Sequence, residues 1–144
     1  MRNSLAKIGL ALICLAPATS PAEGDLISLM SLLQTFTHKL QLALDHRNGE
    51  LAGFYLHEIE ETLEAVEEIA EYDGFPVGQL AGAMLGPAVS RLEAALEGDG
   101  PADATREVDA LISACNACHT ATEHGFIVIR RTDVNPYAQS FEPR

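Results

Sequence analysis

Five consecutive residues, Cys115-Asn116-Ala117-Cys118-His119, hold the densest reactive chemistry in the chain. They spell C-x-x-C-H, the pattern by which haem is attached covalently. On a helical turn the two-residue gap lets both thiols reach the two vinyl groups of one haem and form thioethers. The histidine that follows can then turn under the ring as the proximal iron ligand. Two other readings fail on context. Zinc-finger spacing requires a second ligand pair a dozen or more residues beyond the first, whereas His119 and His124 follow at once and no cysteine comes after Cys118. A thioredoxin-like dithiol requires a βαβ setting, and this chain reads as helical.

The elements that must position this motif are amphipathic helices. From Asp25 to about His46, Leu26, Leu29, Met30, Leu33, Phe36, Leu40 and Leu44 recur at three- and four-residue steps. After a turn at His46-Arg47-Asn48-Gly49, the spacing predicts a second helix over about 50–71. Its core side carries Leu51, Phe54, Tyr55, Ile59, Thr62, Leu63, Val66 and Ile69, and its solvated side Glu60, Glu64, Glu67, Glu68 and Glu71. Tyr72-Asp73-Gly74-Phe75-Pro76 breaks the pattern. A third helix runs over about 77–97, and Pro87 should kink or divide it near Gly86.

Asp99 or Gly100 can cap a fourth helix that has Pro101 at its first position and ends near His124 with Gly125 as its cap. On it Val108, Leu111, Ile112, Cys115, Cys118, His119 and Thr122 share one stripe. The motif's face therefore continues the core face, and the cofactor should sit inside the bundle. Short connections between four helices predict an all-α, antiparallel up-and-down four-helix bundle. It would bear haem on the C-terminal helix, with an extended tail over 126–144 lying across the bundle.

The N-terminus reads as an address. Arg2 and Lys7 make a basic start, Ile8–Ala16 is apolar but far too short to span a bilayer, and small residues follow. We expect a signal peptide over 1–22, cleaved after Ala22, and one compact domain over 23–144 in the periplasm. Cys14 does not suit a lipidation site, because bulky Ile13 precedes it. Cleavage leaves 122 of the 144 residues and removes two cations and no acid, taking the formal charge from −12 to −14. Such acidity argues against nucleic acid and anionic membrane as partners and favours a redox protein with a basic docking face. Cys14 leaves with the signal, and thioethers would consume Cys115 and Cys118, so no disulfide is expected.

The chain resembles cytochrome c′ and its low-spin relatives over roughly residues 25–124, through four predicted helices with C-x-x-C-H late in the fourth. Phe54-Tyr55-Leu56-His57-Glu58, Cys-Asn-Ala-Cys-His and His124-Gly125-Phe126-Ile127 also look like a group of small exported proteobacterial c-type cytochromes. The tail departs from cytochrome c′, where little follows the haem motif. The resemblance implies one haem c, thioethers at Cys115 and Cys118, and His119 as proximal ligand. It leaves open a homodimer through the first two helices. Members of the family either leave the sixth iron position empty and bind small gases, or fill it with a methionine of the first helix and carry electrons.

Met30, on the core stripe of the first helix, is the leading candidate for that sixth position. The competing reading is core filler. Met84 points inward on the third helix, His38 falls at the edge or outside of the first, and His57 lies among glutamates. His124, five residues past His119, cannot reach the opposite ring face from the same straight helix, so a propionate or the tail backbone is its expected partner. Arg130 and Arg131 either pair with propionates or stand exposed. No acid–base or nucleophilic set stands out, so the expected function is single-electron transport in the periplasm rather than enzymatic turnover. The alternative is a five-coordinate protein that binds nitric oxide or carbon monoxide.

Overall fold

The structure, a computed structural model, describes residues 21–98 and 101–144, with side chains from residue 25 to 98 and again from 103. Four helices follow in order: α1 (Pro21–Asp45), α2 (Gly49–Glu67), α3 (Val77–Glu97) and α4 (Pro101–Ala121). Each packs on the next and α1 also meets α4, so the fold is an all-α bundle; no strand forms among the described residues. Arg91 of α3 pairs with Glu107 early in α4 at 3.0 Å, while Val77 at the start of α3 shares a cleft with Cys118 late in α4. Those two helices therefore run in opposite directions. The signal segment lies outside the described residues apart from Pro21 and Ala22, which open α1. The cap expected at Asp99 or Gly100 also lies outside them.

Helix ends differ from the sequence expectation, and the reason is specific. The chain after α1 closes with Asn48 N–H donating to Ala43 O (2.8 Å) and Arg47 N–H to Leu44 O (2.9 Å). After α4, His124 N–H donates to His119 O (2.7 Å) and Glu123 N–H to Thr120 O (3.2 Å). Both are Schellman closures, which put one residue in left-handed conformation. That residue is Arg47 (φ 57°) in the first and Glu123 (φ 61°) in the second. Glycine is the usual occupant, and reading Gly125 as the cap placed the end of α4 three residues too late.

Asn48 then starts α2, its side chain accepting from Leu51 N–H at 3.1 Å. Helix α2 ends at Glu67 rather than Glu71 because α3 begins against it. Gly78 N–H donates to Ile69 O at 3.0 Å, and a Cβ at Gly78 would collide with the Glu67 and Ile69 carbonyls. Between them Tyr72 and Phe75 exchange two backbone bonds of 2.9 Å across Asp73 and Gly74, both at positive φ. Pro87 does not divide α3. The carbonyl it leaves unpaired belongs to Ala83, on the exposed side, where water can bond it.

The core contains the expected stripes, including Leu33 and Leu40 of α1, Leu63 of α2, Leu92 of α3 and Leu111 of α4. Phe54 was expected inside but is 53 % exposed, edge-on to buried Tyr55. The buried stripe of α2 runs through Ala52, Tyr55, Leu56, Ile59 and Leu63, and Phe54 stands one residue off it. Residues 122–144 add no helix or strand and are held by side chains of the bundle. Gln41 Nε2 donates to Thr132 O (2.8 Å), Asn48 Nδ2 to Phe141 O (3.1 Å) and Tyr55 Oη to Gln139 Oε1 (2.7 Å). Phe141 itself is buried.

Candidate functional site

Cys115, Cys118 and His119 border one cleft of about 290 Å³, near the lower limit for small-molecule sites. Helix α1 contributes Met30, the start of α3 contributes Val77, and residues past α4 contribute Ile127 and Ile129. The walls are largely apolar, and no carboxylate among the described residues lines them. The two thiols are not joined in a disulfide. Burial, and then the neighbouring Cys118, push the Cys115 thiol up to about 11; burial also raises Cys118. Both sulfurs are therefore protonated at neutral pH, whereas reactive redox cysteines have depressed values.

The imidazole of His119 is oriented by the chain that follows it. The Schellman closure reverses direction immediately after α4, and Ile127 N–H bonds back to His124 O at 2.8 Å. That brings Ile127 O to 2.9 Å from His119 Nδ1. A carbonyl can only accept, so Nδ1 carries the proton and Nε2 presents a bare lone pair. This is the tautomer a metal-binding histidine requires, with its other nitrogen anchored on a carbonyl.

The sequence reading passed over Asn116. Its Nδ2 donates to Ile129 O (2.9 Å) and its Oδ1 accepts from Ile129 N–H (2.7 Å). One side chain thus satisfies both backbone groups of Ile129 and fixes the strap that carries Ile127 O. An asparagine between two cysteines carries no such signal, because the partner lies 13 residues away in an unpatterned stretch.

The other candidates divide clearly. Met84 packs on the core outside the cleft. His57 faces solvent beside Glu60 and Glu61, as its glutamate surroundings suggested. His124 does line the cleft, with Nδ1 on Thr122 O at 2.6 Å and Nε2 3.7 Å from Asp73. His38 takes the edge position of the two expected, half-buried where the strap formed by residues 122–144 folds over it and Tyr137 Oη lies 3.0 Å from its Nδ1. Arg131 is engaged by Asp45 (3.1 Å) and Asp109 (3.0 Å), whereas Arg130 has no ion pair among the described residues.

Among the described residues no group of three or more His, Cys, Asp or Glu side chains is placed to hold a metal ion, and no helix is long and apolar enough to cross a membrane. Comparison with protein-family models, with curated proteins and with solved structures finds no match for this chain.

Proposed function

We propose that the chain is an exported c-type cytochrome, similar to the four-helix cytochromes of the c′ type, carrying single electrons on one covalent haem in the periplasm. One observation carries this reading: two thiols, a thioether and an imidazole with its Nδ1 already anchored border the same apolar cleft. Cys115 and Cys118 would hold the haem through thioethers, His119 Nε2 would be the proximal ligand and Met30 the sixth. Bound haem would supply a one-electron couple whose potential follows its axial ligands and burial.

The chain's own part is to hold and shield. The Ile127 carbonyl fixes the imidazole's orientation and raises its basicity as a ligand. Asn116 holds that carbonyl's segment in place, and apolar walls such as Leu26, Val77 and Leu85 keep water from the centre. Carrying an electron asks for no proton donor or nucleophile, so we read the protein as a carrier and not an enzyme. Its acidity favours a redox partner with a basic face, and complex formation should weaken with salt.

The test is the absorption spectrum of the haem-loaded protein, oxidised, reduced and reduced under carbon monoxide. A low-spin spectrum indifferent to the gas, lost in Met30→Ala, is the expected result. A high-spin spectrum that shifts with carbon monoxide would instead favour gas binding, with Met30 and Leu26 as an apolar lid over an open iron position.

A further inference from the structure

Beside the apolar cleft lies a second cavity of similar size, about 290 Å³, between α1, α4 and the strap. The two share Gln34, Thr37 and Ile129, but Cys115, Cys118 and His119 do not reach the second. Its character is different. It is bordered by His38, Arg130, Thr132 and Tyr137 and, among the described residues, by no carboxylate.

Its polar groups are unevenly satisfied. Gln41 is fully engaged: Nε2 on Thr132 O, Oε1 accepting Thr132 N–H. The Nε2 of His38 is buried and has no partner. Its other nitrogen lies 3.0 Å from Tyr137 Oη. With the phenol donating to Nδ1, the neutral ring carries its proton on Nε2, an unmatched N–H donor; this is the tautomer on which the site rests. Arg130 borders the same cavity from the exposed surface, without an ion pair among the described residues, although aspartates bind its neighbour Arg131 on both sides. A buried N–H lacking an acceptor, beside a guanidinium free to turn inward from the rim, suits one planar group with two negative oxygens.

We propose that this polar annex is a carboxylate-binding site, with His38 Nε2–H and Arg130 as its donors. The carboxylate has two conceivable sources: a propionate of haem in the adjoining cleft, which rests on the function proposed above, or a free small carboxylate. The annex adjoins the cleft through Gln34, Thr37 and Ile129, so a group held in the cleft could extend a carboxylate into it.

The test uses the full chain, haem-loaded and haem-free, with acetate as probe and the His38 ring followed by NMR, assigned by its loss in His38→Gln. Saturable acetate binding to the haem-free chain, weakened at least tenfold in Arg130→Gln, supports the site. If the loaded protein then ignores acetate and its His38 Nε2–H is already hydrogen-bonded, a propionate is the occupant. If both forms bind acetate, the ligand is a free carboxylate. In the loaded protein Arg130→Gln should also lower the reduction potential when a propionate occupies the annex, because an uncompensated negative charge favours ferric iron; this arm decides when the haem-free chain does not fold. No acetate response in either form, together with an unchanged potential, overturns the proposal and leaves water in the annex. If haem never attaches, the function proposed above fails, yet the acetate titration still decides the annex.

Discussion

Replacing Asn116 with Ala isolates the contact that ties the strap to α4. The substitution removes both bonds to Ile129, of 2.9 and 2.7 Å, and leaves a half-buried N–H and C=O without partners. Each bond is worth about 1 kcal/mol net, and unmatched groups cost more, so we expect a loss of about 2 kcal/mol. For a domain of this size that lowers Tm by roughly 5–15 °C. Thermal and urea unfolding of the full chain, followed by circular dichroism, measures it. Ala117→Ser, on the exposed side of the same turn, is the control and should stay within about 0.5 kcal/mol. The strap also carries Ile127 O, so His119 should lose its fixed tautomer, visible as exchange broadening of its ring signals in the haem-free chain. A variant as stable as the parent, with an unchanged His119 ring, would refute the view that Asn116 positions the histidine.

Further outcomes follow from the same geometry. Gly78→Ala drives a Cβ into two backbone carbonyls that cannot step aside, so it should cost about 3 kcal/mol in urea unfolding; a loss below about 1 kcal/mol would mean the α2–α3 junction is looser than described. Glu123→Gly relieves a left-handed non-glycine residue and should stabilise the fold by about 0.5–1 kcal/mol, with Arg47→Gly doing the same at α1; destabilisation of both would contradict the Schellman assignments. The folded chain holds the Cys115 proton more tightly than the unfolded one. Haem-free protein should therefore keep that contribution below the usual thiol range and lose it as pH rises toward about 11. Alkylation of Cys115 at pH 8 should correspondingly be slower than in an unfolded peptide, and equal rates would show the thiol to be open.

The helices and their inward faces were legible because they depend on local spacing. Leu33, Leu40, Ile59, Leu92 and Leu111 announce the core by recurring every three or four residues, and C-x-x-C-H announces its chemistry in five letters. What escaped depends on distant partners. Gly78 looks like any glycine until α2 is seen to end against it. Arg47 and Glu123 occupy left-handed positions where a sequence reader looks for glycine. Gln41 and Asn116 bond to Thr132 and Ile129, whose stretch has no period to betray where it lies. His38 lies at the edge of its helix, one of the two positions expected, but helical geometry alone cannot anticipate the strap that covers it. Phe54 errs in the other direction: its apolarity promised burial, and its register denied it.

Everything proposed for the cleft depends on covalent haem at Cys115 and Cys118. The most direct test is the intact and peptide mass of the protein exported from a host that attaches c-type haem. We predict a mass increased by one haem, located on the peptide that carries both cysteines, and absent from a Cys115→Ser, Cys118→Ser variant. Recovery of that peptide with two unmodified thiols, from a host shown to load another c-type cytochrome, would rule out covalent haem at this motif.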